Sequence, residues 1–348
     1  GVLGLRTIGG QWKHRWGNGH IALNAVHHHF QHSLEPGEEP YEKYYLRGRS
    51  LTNFSIDHSI TYRNLHWFSE WATRAFRSTA WCTGLLVTLH QRLDAAFLVR
   101  NWASSYQAFF ANGFGEGSTV TNEKGMFTAL VFRPTASMRI EWMADLYCHP
   151  WLRYKQSQPV CGHEQMIKWV YAFNRQIKMY FQYRVKTSDG FTSIPGSPLE
   201  RTITQRMSQF RMQVEGRVDN DWELRLRLES VLNKSAGQNF YGFLGFLDLG
   251  KNFNNSGVNC LFRLQYCATD DYTSRIYAYE PDVQYAGSTR FFYGEAFRWV
   301  FNAAIPLLRG IKSSYFPKTQ FWMRISRNHP VRLFHNPLLI NDSRFIYP

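Results

Sequence analysis

Apolar and polar residues alternate along most of this chain. Residues 222–229 read Trp-Glu-Leu-Arg-Leu-Arg-Leu-Glu, so every second side chain is apolar and each one between is charged. Successive side chains of a β-strand point to opposite faces, and a period of two therefore predicts a strand with one apolar and one polar face. The same alternation recurs at 138–146, 177–186, 209–215 and 258–266. With less regular segments the pattern predicts about fifteen strands, and 311–326 would add another.

The lengths of these segments and of their connections indicate a membrane barrel. Many segments extend over about ten or more residues, which is what a tilted strand needs to cross a bilayer. Up-and-down outer-membrane barrels alternate short periplasmic turns with long external loops. The tight connections fall at 17–19, 63–64, 91–92, 134–137, 174–175 and 217–221, and the longer ones at 31–49, 75–80, 104–124, 148–162 and 188–200. We therefore predict an all-β fold, an antiparallel up-and-down transmembrane β-barrel with about sixteen or more strands in this chain.

Composition agrees with a protein that crosses a membrane with strands. The 348 residues include 27 Phe, 19 Tyr and 12 Trp, yet the mean hydropathy is only −0.40. No run of about 18 consecutive apolar residues occurs, which excludes a transmembrane helix.

The charges indicate which face of each strand points where. Lys and Arg number 40 against 26 Asp and Glu, an excess that would ordinarily suggest nucleic acid as a partner. A charged side chain facing hydrocarbon costs roughly 2 to 4 kcal/mol at the bilayer midplane, so the charged faces are assigned to the lumen. The residues expected to face the lumen are Arg139, Glu141, Asp145, Lys178, Arg184, Arg211, Glu223, Arg225, Arg227 and Arg263. Those expected to face lipid are Trp142, Phe181, Leu224, Leu226 and Phe262. A net basic lumen would favour anions if it is open.

Several segments resemble a family of large bacterial outer-membrane proteins. Its members carry a helix-hairpin-helix segment upstream of the barrel. The segments that carry the resemblance are Tyr44–Gly48, Tyr106–Asn112 with Phe114–Glu116, Asn122–Gly125, Tyr147–Tyr154 and Asp270–Glu280. The resemblance covers about residues 5–325 and implies a barrel exported through the general secretory route. The helix-hairpin-helix segment itself is not found in the sequence.

The resemblance also bears on how the chain is divided. We predict a barrel over 1–326, preceded in the full protein by further parts. A closing strand of the family should alternate up to a terminal aromatic residue, and 327–348 does not. That segment is therefore predicted to be a poorly matched C-terminal tail.

Two clusters that contain histidine are candidates for a metal site and for a catalytic triad. His27, His28, His29 and His32 would suit a transition metal, but consecutive strand residues face opposite ways, so a polar cluster at a loop edge is favoured over a metal site. A triad built on His58 would need its partners on one face, whereas Asp57 has the opposite parity. We therefore expect no catalytic residue, no metal and no cofactor, and a protein that is not an enzyme.

An acidic and aromatic motif occupies a long connection near the C-terminal end. It consists of Asp270, Asp271, Tyr272, Arg275, Tyr277 and Glu280. Calcium or a charged ligand is one interpretation. The favoured one is a loop that folds back into the lumen, where Arg275 or Glu280 holds it against lumen charges.

Five cysteines form no CxxC motif. Cys148 and Cys161 lie at the two ends of one predicted external loop, and we predict a disulfide between them in the oxidising exterior.

The predicted function is a porin-like or transport-associated scaffold in the outer membrane of a Gram-negative bacterium, with a charged, net basic lumen. Its expected partners are outer-membrane lipids, lipopolysaccharide and the barrel assembly machinery, and a periplasmic partner is left open. One alternative is a surface-binding or assembly component whose lumen is plugged by loops. The other is a DNA-linked protein, by analogy with the family's upstream segment, although nucleic acid is not expected to bind through this part of the chain.

Overall fold

The structure, a computed structural model, describes residues 4–154, 156–193, 200–219, 221–254, 256–282, 288–306 and 320–330. Those residues form strands and two single-turn 3₁₀ segments, Pro40–Glu42 and Tyr272–Ser274. The strands are β1 (Leu5–Trp16), β2 (Gly19–Leu34), β3 (Gly48–Tyr62), β4 (Leu65–Arg74), β5 (Ser78–His90), β6 (Leu93–Trp102), β7 (Glu123–Thr135), β8 (Met138–His149), β9 (Val160–Ala172), β10 (Ile177–Ser193), β11 (Glu200–Arg217), β12 (Trp222–Ser235), β13 (Gln238–Phe253), β14 (Val258–Thr269), β15 (Ile276–Glu280), β16 (Ser288–Phe292), β17 (Glu295–Pro306) and β18 (Gln320–Pro330). None of these described segments is a helix with the length and apolar character that a membrane span requires.

The chain divides into two compact units. The first unit contains Gly1–Gln213 with Val231–Asn239, and the second contains Val214–Ser230 with Phe240–Pro348. In each unit the strands follow chain order and neighbours are antiparallel. The first unit holds β1 to β10 and most of β11, and the second holds β14, β17 and β18 with most of β12 and β13. These sixteen described strands confirm the predicted all-β, antiparallel, up-and-down architecture.

In both units the sheet exposes large apolar side chains on one face and buries several charged side chains on the other. On the first unit, Ile8 is 76% and Trp12 60% exposed, while Arg100 and Glu123 are 1% and 0% exposed. On the second, Tyr241 is 56% exposed, and Arg263 is wholly buried. A water-soluble domain has the opposite distribution, because its apolar side chains gain free energy by leaving water. Below, the polar face of each sheet is the one that carries Arg100 in the first unit and Arg263 in the second.

Most predicted connections agree with the structure. The tight turn at 63–64 is present, as are the other five short connections. One prediction is wrong: the supposed long connection at 75–80 is a turn of three residues, because β4 continues to Arg74 and β5 begins at Ser78. Ala75 and Phe76 lie in this turn with positive φ angles of 44° and 60°. Residues of these types rarely adopt positive φ angles, so the sequence does not indicate the turn.

Several strands extend further than predicted. β2 continues to Leu34 and β10 to Ser193, so the connections after them are shorter than the sequence pattern indicated. The last described strand ends at Pro330, four residues beyond the predicted end of the barrel at 326. Residues 311–319 of the last predicted strand, and 331–348 of the predicted tail, lie outside the described residues.

The predicted disulfide between Cys148 and Cys161 is confirmed. The two residues are direct cross-strand partners on β8 and β9, with their Cα atoms 4.0 Å apart. The bridge therefore closes the connection 150–159 at its base.

Candidate functional site

A long connection of the first unit packs against the polar face of its own sheet. This inner loop, residues 103–122, joins β6 to β7. Tyr106 is buried against Trp102, and the Phe109 ring meets Phe30 edge-on at 5.4 Å. Further along the loop, the Phe114 ring meets Phe127 at 4.7 Å. Aromatic contacts thus hold the loop onto the sheet.

A buried ion cluster fastens the end of the inner loop. The guanidinium of Arg100 donates from Nε to Glu123 Oε1 at 2.6 Å, and from Nη1 and Nη2 to the two carboxylate oxygens of Asp145 at 2.9 and 3.0 Å. The Glu123 carboxylate also accepts the backbone N–H groups of Glu116 and Gly117, at 2.9 and 3.0 Å. Removing one partner from such a buried set costs about 3 to 5 kcal/mol, so the loop is firmly attached.

A glycine makes room for this cluster. Gly125 on β7 is the cross-strand partner of Arg100. A Cβ at position 125 would lie 2.4 Å from the Arg100 Cζ atom. The guanidinium therefore lies directly over the glycine, and any larger residue would displace it.

A second attachment links the loop to the other side of the polar face. Glu116 of the inner loop pairs with Lys186 of β10. Beside it, Arg184 donates to both carboxylate oxygens of Glu164, at 2.7 and 2.5 Å. Together with the Arg100 cluster, three cationic and four carboxylate side chains line this region. Charges of both signs therefore line this part of the polar face.

The burial of Tyr106 has a chemical consequence within the loop. Burial, aided by the negative charge of Glu70, raises the pKa of Tyr106 to about 12. Its phenol is therefore neutral at any physiological pH, which suits a structural contact.

In the second unit, an inserted hairpin occupies the polar face. This hairpin, β15 with β16, branches off between β14 and β17. On β15, Ile276, Ala278 and Glu280 are buried, and Tyr277 and Tyr279 between them are exposed. One face of the hairpin is thus turned toward the sheet.

Two buried arginines of the sheet bind the hairpin. Arg263 donates to both oxygens of Asp248, at 2.5 and 2.7 Å, and to the backbone carbonyl of Tyr279 at 2.7 Å. Arg298 donates to both carboxylate oxygens of Glu280, at 2.9 and 2.8 Å. The hairpin therefore supplies one carboxylate and one carbonyl to cations of the sheet.

The acidic residues that precede the hairpin form a turn. Asp270 accepts the backbone N–H of Tyr241 at 2.8 Å, and Asp271 accepts that of Thr273 at 2.8 Å. The hydrogen bond from the Thr273 N–H lowers the pKa of Asp271. Both carboxylates therefore accept hydrogen bonds from backbone N–H groups of this region.

The other residues of the motif make contacts elsewhere. The Arg275 guanidinium lies over the Tyr272 ring at 4.3 Å and donates to the Tyr277 hydroxyl. Glu280, at the far end of β15, makes the buried ion pair. Of the two residues expected to hold this segment, Glu280 contacts a sheet cation, and Arg275 contacts the tyrosines of its own segment.

The other charged residues expected in the lumen lie on the polar faces, mostly beside partners. Arg139 and Glu141 pair at 2.7 Å, and Arg217 pairs with Glu223 at 3.0 Å. Arg225 lies 3.4 Å from Glu215 and 3.7 Å from Asp248, and Arg227 lies over the Phe246 ring at 5.2 Å. Lys178 and Arg211, which also have partners, share the parity of Arg184 and Gln213 on their strands.

The residues expected to face lipid lie on the opposite face. Trp142 is 36% exposed, and the Phe181 ring stacks on Trp169 with centroids 5.5 Å apart. Leu224, Leu226 and Phe262 are partly exposed and alternate with charged residues on β12 and β14.

The histidine clusters separate as their parity requires. His28 is buried beside Thr7, whereas His27 contacts Thr52 on the other face of β2. Asp57 binds Asn24 and His20, and the His58 ring packs on Trp67 on the opposite face. Among the described residues, no group of His, Cys, Asp or Glu could hold a metal ion.

Sequence reasoning predicted the long connection at 104–124 but missed its packing on the sheet, and it missed the buried charges of Arg100 and Glu123. Around β6 the polar face carries apolar residues such as Leu98 and Trp102, which hide the alternation. A usable signal was available in the loop itself, where Phe109, Phe110 and Phe114 are too apolar for a fully solvated connection.

Comparisons with known proteins give structural neighbours alone. No family model matches this chain, and no curated protein matches it. Similar solved structures include OmpT folded in vitro, an outer membrane protein of Vibrio cholerae, with 9% identity, a TM-score of 0.37, and coverage of 86% of this chain and 96% of that one. Its trimer form has 10% identity, a TM-score of 0.34 and coverage of 84% and 100%. A variant lacking loop L8 has 10% identity, a TM-score of 0.31 and coverage of 77% and 94%.

Proposed function

We propose that this chain is an outer-membrane β-barrel that acts as a porin-like scaffold and has no enzymatic activity of its own. The observation that carries the proposal is the distribution of side chains in each unit, with large apolar residues exposed and charged residues buried. An exposed apolar stripe costs free energy in water and none in hydrocarbon. Backbone groups in lipid must all be hydrogen-bonded, so we propose that the strands close into a barrel.

Segments of the chain itself cover part of the polar face in each unit. The inner loop and the inserted hairpin each pack on a polar face, and each is held by buried ion pairs. A segment held by buried ion pairs should stay in place while a solute passes through the lumen. We therefore propose a narrow aqueous passage lined by both signs of charge, with selectivity set by the inner loop.

The second candidate is an assembly or surface-binding component with a plugged lumen. It is favoured by the inserted hairpin, whose buried face is matched to the sheet by Glu280 and Ala278. In that case lipopolysaccharide, the barrel assembly machinery or a periplasmic protein would be its partners. The DNA-linked function, like membership of the helix-hairpin-helix family, stays a proposal from sequence resemblance.

Conductance in planar bilayers tests the proposal. The purified protein should give discrete single-channel steps. A variant in which residues 108–113 of the inner loop are replaced by a short glycine and serine linker should give larger steps, because the aromatic contacts of Phe109 and Phe110 are lost. As a control, shortening residues 35–39 of the connection between β2 and β3 should leave the step size nearly unchanged. Silent wild-type protein that has inserted and folded would favour the plugged alternative.

A further inference from the structure

Three connections of the first unit meet in an aromatic pocket. They come from residues 40–45, from the end of the inner loop at 117–122, and from residues 149–154. The pocket encloses about 230 Å³. Its aromatic walls are Tyr41, Tyr44, Tyr45, Trp151 and Tyr154.

The rings of these walls stand at steep angles to one another. Tyr41 meets Tyr154 at 72° with centroids 5.8 Å apart, and Tyr44 meets Trp151 at 71° and 4.9 Å. Tyr45 and Tyr154 keep much of their surface accessible, at 45% and 67%. Each edge-to-face contact covers part of a ring face, and the ring surface that stays accessible at Tyr45 and Tyr154 can receive a flat apolar group.

Hydrogen bonds tie the walls of the pocket together. The buried Asn122 side chain donates to the Trp151 carbonyl and accepts the Trp151 N–H, both at 2.8 Å. The indole N–H of Trp151 donates to the Pro40 carbonyl at 3.0 Å. These bonds link all three connections, so a ligand would lose little affinity to ordering the walls.

Hydrogen-bonding groups lie among the rings. Arg153 donates from Nη1 to His149 Nε2, and the other ring nitrogen of His149 therefore carries the proton and donates to the Asn122 carbonyl. A guanidinium has five N–H donors, so Arg153 can serve a ligand as well. The Ser118 and Thr119 hydroxyls make no hydrogen bond to the part of the chain that the structure describes.

Charges of both signs lie near the pocket, and Arg153 of its wall and Lys43 are the cations. Lys43 lies over the Tyr44 and Trp151 rings at 5.5 and 5.1 Å. The negative charges of Glu39 and Glu42 lie close enough to interact electrostatically with the Tyr41 phenol. Cations and anions are thus mixed around the opening, and phosphate would meet repulsion as well as attraction.

We propose that the aromatic pocket binds one ring of a neutral saccharide. A sugar ring presents a flat C–H face for the tyrosines and hydroxyl groups around its edge for Arg153, Ser118 and Thr119. The enclosed volume falls below the roughly 300 Å³ at which drug-sized pockets begin, so the pocket fits one ring. The site goes beyond the proposed pore, which needs no such pocket, and it does not depend on conductance.

Saturation-transfer NMR on the full chain tests this site. The protein is kept in a detergent without a sugar headgroup, and the probe is methyl β-glucopyranoside. We expect saturable transfer to the ring C–H protons of the probe. Sorbitol, which has the hydroxyls and no ring, and inorganic phosphate should not compete.

Variants locate the binding. Tyr154→Ala and Tyr45→Ala each remove one ring surface and should weaken binding roughly two- to tenfold. Tyr45→Phe should bind nearly as the wild type does. Tyr62→Ala, which removes an exposed ring at the opposite end of β3, serves as the control. Folding of each variant is checked by its shift in gel mobility on boiling and by the intact disulfide.

The proposal fails if no transfer is seen, if phosphate or sorbitol displaces the probe, or if both alanine variants bind as the wild type does. A folded protein that conducts ions yet fails these tests would overturn the saccharide site and leave the proposed pore standing.

Discussion

The inner loop and the inserted hairpin both pack on a polar face, but different interactions fix their conformations. Both are held by buried arginines. The inner loop has no strand pairing of its own, and the sheet residue Glu123 satisfies two of its N–H groups. The hairpin pairs with itself over five residue pairs, from Ile276 with Phe292 to Glu280 with Ser288. The conformation of the loop therefore depends on the sheet, whereas that of the hairpin depends on the sheet only for its position.

This difference predicts that the first unit is the more sensitive to loss of its arginine. Arg100→Met leaves the Glu123 and Asp145 carboxylates unpaired in a buried site. We expect a loss of about 3 to 5 kcal/mol in the free energy of unfolding in vesicles. Arg139→Met, which breaks a partly exposed pair with Glu141, is the control and should cost below about 1 kcal/mol. Equal losses for the two variants would refute the anchoring role of Arg100.

The hairpin should respond locally to the equivalent change. Glu280→Gln keeps the shape of the side chain and leaves the Arg298 charge buried without its counterion. We expect the hairpin to lose roughly 2 to 3 kcal/mol of its attachment. Hydrogen exchange of residues 276–280 should then accelerate, while exchange across the inner loop stays unchanged. Tyr279→Phe, on the exposed side of β15, should change neither. Acceleration in the inner loop would contradict the separate dependence of the two segments.

The glycine beneath Arg100 should also affect the stability of the first unit. Gly125→Ala places a methyl group where the guanidinium lies, and we expect a cost of about 1 to 3 kcal/mol. Gly10→Ala, on a β1 position with nothing within 4 Å of the added Cβ, should be close to neutral. Both can be measured by urea unfolding in vesicles. A neutral Gly125→Ala would mean that Arg100 can leave its position over the strand without loss.

The smallest effect expected concerns the turn before the hairpin. Hydrogen bonds lower the folded-state pKa of Asp271 below its usual 3.8. A carboxylate of this kind contributes stability that is present above the unfolded pKa and is lost as pH falls through the folded pKa. The turn at Tyr272–Ser274 should thus loosen only below about pH 4. Amide exchange of Thr273 as a function of pH reports it, and Asp271→Asn, which still caps the turn, should abolish the pH dependence.

The sequence predicted what depends on period and parity. The alternation at 222–229 places Leu226 and Arg225 on opposite faces without knowledge of any contact. The disulfide followed because Cys148 and Cys161 end neighbouring strands. What could not be predicted depends on contacts between segments distant in sequence, such as Glu116 with Lys186. The choice of Glu280 over Arg275 as the anchor depends on the buried position of Arg298, which no local pattern reveals.

We expect the apolar face to contact lipid and the polar face to contact water. Single cysteines at 226 and 225, in a background without Cys82, Cys260 and Cys267, test it directly in vesicles. Labelled with a fluorophore, the cysteine at 226 should be quenched by a lipid-attached quencher and shielded from a water-soluble one. The cysteine at 225 should show the reverse. A cysteine at 226 that is shielded from both quenchers would place Leu226 in the core of a soluble sheet and contradict the membrane assignment.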